Sequence, residues 1–196
     1  MLACVKQVAV PAPEANVVGA WALVAAERIE VAIREAGGGS HSAPAALATI
    51  ATFPGERSDA IGRVVGLSAP GLVRAVDRLV SENLVRRVQS TTDGREVRLH
   101  ATVRGRRATQ RLLAARAAAV SSLLQPLAPS ERTQFLTLLD KLLRGAASNR
   151  NQAREICRLC DHAACERTEG CPVSAGAPGV AHQSQVLRVK SGRRHS

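Results

Sequence analysis

IGRVVGLSAPGLVRAVDRLVSENLVRRVQSTTDGREVRLHATVRGRR, residues 61 to 107, decides the fold. Ile61 and Val65 repeat at helical spacing, Gly66-Leu67-Ser68 interrupts the run, and Leu72, Val76 and Leu79 resume it at i, i+4 and i+7. The spacing predicts a short helix over Ser58 to Val65 and a second over Ala69 to Glu82, joined by a turn. After Asn83 the period falls to two. Leu84-Val85-Arg86-Arg87-Val88 and Glu96-Val97-Arg98-Leu99 flank a polar turn, Gln89 to Gly94, that contains Asp93-Gly94, which together predict a β-hairpin.

Upstream, Val18, Trp21, Ala25, Ile29, Ala32 and Ala36 line one face of a helix that begins near Asn16 and stops at Gly37-Gly38-Gly39. Ser42 caps a second helix that carries Leu47, Ile50 and Phe53 and ends at Pro54-Gly55. Downstream, Thr102 caps a long helix to about Leu124. Pro126 breaks it, Pro129 opens the next, and Phe135, Leu138, Leu139, Leu142 and Leu143 form an amphipathic stripe. The chain is therefore mainly α with a small β-hairpin. Residues 1–13 read as a flexible arm, 14–148 as the structured domain, 149–175 as a Cys-rich segment and 176–196 as a basic disordered tail. The stripes that carry Trp21 and Phe135, Leu138 and Leu142 lie outside the compact middle, and an apolar stripe without an intrachain partner predicts a homodimer.

Helix, turn, helix and hairpin in this order make a winged helix-turn-helix. Residues 61–107, with LAPSERTQFLTLLDKLL further on, resemble the multiple-antibiotic-resistance regulator (MarR) family over about residues 16 to 147. The resemblance implies a winged helix-turn-helix with N- and C-terminal dimerisation helices, a DNA-binding transcription regulator of the repressor kind, and a small-molecule effector held between the DNA lobe and those helices. It also implies that Arg95 enters the minor groove, with Asp93 orienting it; the plain alternative is an Asp-Gly turn with a solvated Arg. From the residues themselves, Pro70, Gly71, Arg74 and Arg78 face outward once Leu72, Val76 and Leu79 face the core. Free N–H groups near Ser68 at that helix N-terminus suit phosphate. Arg74 and Arg78 reach base edges or backbone, or are two solvated surface arginines. Arg86 and Arg98, with Arg87, Arg104, Arg106 and Arg107, contact phosphate or raise the local potential. Trp21 is the one aromatic suited to an effector pocket, packing being its alternative role.

Charge agrees with this partner. The 196 residues carry a formal charge of +11, and residues 57–107 hold 11 Arg against 5 acids. That favours double-stranded DNA. No run of 18 uncharged apolar residues and no signal-type N-terminus occurs, so the expectation is a cytoplasmic protein without membrane contact. The five His (41, 100, 162, 182, 195) lack metal-hydrolase spacing, and neither a Gly-rich phosphate loop nor a nucleophile elbow is present, which argues against an enzyme.

Cys157-x2-Cys160-x4-Cys165-x5-Cys171 places four thiols within fifteen positions. Thiolates are soft ligands, so the spacing suits zinc or an iron–sulfur cluster; a metal-free redox switch and an inert tail are the alternatives. Arg154, Arg158 and Arg167 are expected to lower thiol pKa values. His162 is a spare ligand or is solvent-exposed, and Cys4 is an isolated thiol. The rival reading of the whole chain is a protein-interaction module with a zinc-stabilised appendix and no operator binding.

Overall fold

The computed structural model describes residues 11–37, 42–90, 96–166 and 170–177. Its elements run α1 (Ala12–Ala36), α2 (Ser42–Thr52), α3 (Ser58–Val65), α4 (Ala69–Ser81), β1 (Val85–Gln89), β2 (Val97–Ala101), α5 (Val103–Leu123), α6 (Pro129–Leu143), α7 (Arg150–Ile156), α8 (His162–Glu166) and α9 (Pro172–Ala175). The expected mainly helical fold with one hairpin is what forms. The α1 helix starts at Ala12, earlier than the Asn16 expected, because Pro13 falls in the first turn, where no backbone N–H is required.

Local chemistry sets the boundaries around the turn. Gly66 ends α3 in the left-handed region at φ +68° and turns the chain into α4. Ser68 caps α4, its Oγ accepting from Gly71 N at 3.3 Å, and Pro70 sits harmlessly in the first turn. Asn83, at φ +56°, makes the reversal from α4 into β1, a conformation that Asn tolerates better than most residues. The strands then pair antiparallel from Val85 opposite Ala101 to Gln89 opposite Val97. An isolated bridge between Arg57 and Arg98 ties the α3 entrance to β2. Thr102 caps α5, accepting from Gly105 N at 2.9 Å and donating to Asn83 O at 2.8 Å.

Ile50, Ile61, Leu79, Leu99 and Leu112 fill the centre of the main core, joined by Leu72, Val76 and Val85 and by Ile33 from α1. This core fixes α3, α4 and the hairpin to one another. By contrast, α1 lies along α5 and buries only Ala25 and Ile33. Val18 remains 66% exposed and Leu142 on α6 72% exposed, so much of both stripes faces solvent in the single chain. The stripes do meet once, where Trp21 packs edge-on against Phe135 with ring centroids 5.3 Å apart, so neither is wholly without an intrachain contact.

The described residues of the Cys-rich segment are structured. Ala147, Ala153, Cys157, Val173 and Ala177 form a second, small core among the end of α6, α7 and α9. Gly176 lies so close to the Arg144 carbonyl that a Cβ would sit 1.5 Å from its oxygen, which seats α9 on the α6 terminus. Residues 178–196 lie outside the described residues. No described helix is long and apolar enough to cross a membrane.

Candidate nucleic-acid interface

The solvent edge of α4 follows from its buried edge. With Leu72, Ala75, Val76 and Leu79 inward, Ser68, Pro70, Arg74 and Arg78 are exposed, as their spacing predicts, while Gly71 is half-buried beneath the Ser68 cap. Arg74 projects from the exposed side. Arg78 is engaged, its Nε donating to Glu82 Oε1 at 2.8 Å one turn on. Such an exposed i,i+4 pair is worth only ~0.5 kcal/mol, so a phosphate or guanine can displace Glu82.

The wing is moored to this helix. Leu79, Val85 and Leu99 share the core that fixes the hairpin beside α4, and Arg87 on β1 adds an exposed ion pair with Asp77 on α4 at 2.5 Å. Arg86 is exposed on β1. It also acts with Arg98 on His100, whose pKa is lowered, first by burial and then by these two guanidinium groups. Arg98 has a structural role in addition to its positive charge. One Nη donates to Gly55 O at 2.9 Å and the other to Glu96 Oε2 at 2.8 Å, which ties the half-exposed side chain to the wing base. Asp93 and Arg95, at the wing tip, lie outside the described residues.

Two further groups of arginines border the surface. Arg57 and Arg63 converge on Asp59 at 3.1 Å each, and the carboxyl is held below its usual pKa chiefly by the Arg57 hydrogen bond. Arg104, Arg107 and Arg111 line an open cleft of about 630 Å³ with Asn83, Thr102 and Val103. Sequence reasoning named the first two and missed Arg111, although the i, i+3, i+7 spacing on α5 puts all three on one face.

The thiols are brought together more closely than a tail would allow. Cys157, 5% exposed at the end of α7, has its Sγ 3.6 Å from Sγ of Cys171, the N-cap of α9. The Cys157 thiol hydrogen-bonds Cys160, which lowers the Cys160 pKa to about 6 against opposing burial, with help from Arg116, His162 and Arg158. Cys157 is pushed up, first by that same hydrogen bond and then by burial. Cys165 is raised by burial and by Cys171 and Cys160 nearby. Among the described residues, no three His, Cys, Asp or Glu groups are drawn together into a ready-made ion site.

Of the basic neighbours expected to act on the thiols, Arg158 does so, Arg167 lies outside the described residues, and Arg154 is used elsewhere. Arg154 donates to Glu56 at 2.7 Å and its guanidinium lies 4.0 Å over the Phe53 ring. His162 is half-buried, not solvent-exposed: its ring meets Phe53 edge-on at 5.5 Å centroid separation and Nε2 lies 3.2 Å from Cys157 O. Sequence reasoning missed Phe53 and Glu56 as partners of this segment, because they stand about a hundred residues away.

The MarR family model matches residues 40–97. The PcaV transcriptional regulator from Streptomyces coelicolor is 25% identical, with 63% of this chain and 93% of that chain covered and a TM-score of 0.50. YusO from Bacillus subtilis, 21% identical over 68% of this chain and 94% of its own, shares the fold with a TM-score of 0.59. A search of the curated proteins finds no match. The matched stretch holds α2, both helices of the helix-turn-helix and β1, inside a fold whose wing and flanking helices are shared with these structures, so this part of the chain is similar to the MarR family.

Proposed function

We propose that this chain is a sequence-specific DNA-binding transcription repressor that works as a homodimer and carries a C-terminal four-Cys site for a metal or for redox sensing. The observation that carries the reading is the surface formed by Ser68, Pro70 and Arg74 at the start of α4, beside a hairpin held to the same helix by the core of Leu79, Val85 and Leu99. A recognition helix offers its N-terminal half to the major groove, and a wing fixed beside it reaches the adjacent backbone or minor groove. Dimerisation accounts for Val17, Val18, Leu23 and Val24 on α1 and Leu136, Leu138 and Leu142 on α6, all of which are exposed in the single chain. Trp21, edge-on against Phe135, fits a packing role.

Two-fold symmetry places two α4 helices on one DNA face, so half-sites about 10 base pairs apart are expected. Footprinting on duplexes selected from a random pool tests this. A protected pseudo-palindrome supports the reading; an isolated half-site bound as tightly as the palindrome contradicts the dimer.

A further inference from the structure

The Cys-rich segment touches both functional halves of the molecule. Its first part, α7, packs on α3, with Arg154 clasping Phe53 and Glu56 in the α2–α3 connection. That connection holds the wing base, since Gly55 accepts from Arg98 and donates its N–H to Leu99 O at 3.0 Å. The last part, α9, packs on the end of α6 through Gly176. Between the two parts, Cys157 and Cys171 stand 3.6 Å apart.

The hydrophobic contribution to this unit is small. Its buried residues are three Ala, one Val and Cys157, with no aromatic and no Leu or Ile among them. Ordering each residue costs about 1.5 kcal/mol, so small units of this kind ordinarily depend on a metal or a disulfide. Cys157 and Cys171 already meet, Cys160 packs against the same small core and Cys165 follows on α8, so an ion that drew the four thiols together would supply what is missing.

We propose that Cys157, Cys160, Cys165 and Cys171 hold one mononuclear thiophilic divalent ion, zinc, and that this ion clips α7 to α9 and so braces α6 against α3 and the wing base. The inference deepens the four-Cys reading above and rests on it. Distance distinguishes the candidates. Tetrahedral zinc with bonds of about 2.3 Å sets its sulfurs about 3.8 Å apart, close to the separation of the Cys157–Cys171 pair. Cluster thiolates bind different iron atoms, which spreads their sulfurs over the whole cluster. A disulfide would join only two of the four. Cys160 and Cys165 close on the ion as it binds, because four thiolates repel until a cation stands among them and metal binding is itself the ordering step. Both ends of the brace then become rigid together.

The test uses the full-length reduced protein, stripped of metal and titrated with cobalt(II) and zinc(II). One cobalt per chain with thiolate-to-cobalt charge transfer is expected, lost in Cys157→Ser and in Cys171→Ser and kept in Cys4→Ser. Zinc is expected to slow amide exchange by ~10-fold or more both in α9 and at residues 53–57. Circular dichroism checks that each variant keeps its winged-helix core. Iron with acid-labile sulfide in anaerobically purified protein overturns the mononuclear ion. A Cys157–Cys171 disulfide with no metal uptake overturns it in favour of the redox switch. Uptake without protection at residues 53–57 overturns the brace. None of these readouts needs DNA, so a protein that binds zinc as described but ignores every duplex refutes the regulator reading and leaves this inference standing.

Discussion

Replacing Gly105 by Ala tests whether the junction of α4, the wing and α5 is as tight as the fold requires. A Cβ at Gly105 would lie 1.9 Å from the Leu84 carbonyl oxygen, inside the 3.0 Å that real contacts respect, so the turn must retreat by about 1 Å. That carbonyl accepts from Thr102 N at 2.9 Å and from Thr102 Oγ1 at 3.3 Å, and the same hydroxyl caps α5. The Thr102 hydroxyl proton already goes to Asn83 O at 2.8 Å, so the loss is one full hydrogen bond, from Thr102 N, at about 1 kcal/mol, and with a weakened cap of similar worth it comes to about 2 kcal/mol. Helix propensity acts the other way, since Ala is favoured over Gly by up to about 1 kcal/mol. The clash wins, and a net loss of about 1 kcal/mol lowers Tm by about 2–4 °C in a thermal melt. Gly145→Ala, where nothing lies within 4 Å of the added carbon, is the control and is expected to leave Tm unchanged or slightly raised. If Gly105→Ala is as stable as the wild type, steric closure at Leu84 does not set the wing, and the reasoning fails.

Arg154→Ala removes a half-buried ion pair with Glu56 and a cation–π contact with Phe53, together about 2 kcal/mol, so exchange of α7 amides accelerates ~30-fold while the main core is spared. Unchanged α7 exchange would show that the clasp does not hold the segment. Leu142→Asp places a charge in the exposed α6 stripe and is expected to shift sedimentation from dimer toward monomer; a retained dimer would move the interface elsewhere. In metal-free reduced protein, the depressed Cys160 pKa predicts alkylation that is fast above about pH 6 and falls away below it, read by mass spectrometry of the modified peptide. A midpoint at an ordinary thiol value, about 8.5, would contradict the geometry around Cys157.

Local rules made most of the fold legible. Gly66 with Ser68, Thr102, and the Pro-containing first turns each set a boundary by chemistry confined to a few residues, and α3 begins and ends where the periodicity put it. The outward set on α4 was legible for the same reason, since three buried apolar positions leave only one exposed edge. The bonds Arg98 makes were not legible, because alternation on a strand reports which face a residue takes, and not that Gly55, forty-three residues earlier, will offer it a carbonyl. The same limit hid the clasp. Nothing near Arg154 in sequence announces Phe53 or Glu56, and a segment with so few large apolar residues shows no periodic stripe by which to place it.

The central claim is that this surface reads DNA as a dimer, and one titration tests it most directly. Full-length protein is titrated with a selected pseudo-palindromic duplex and with a shuffled duplex of equal length, from low to physiological salt, with stoichiometry measured in each. The account predicts one dimer per duplex and affinity that falls steeply with salt on both. The selected sequence is expected to keep a preference of about 10³-fold or more, and Arg74→Ala to reduce that preference. Equal affinity for both duplexes across the salt range, or binding as an independent monomer, would contradict it.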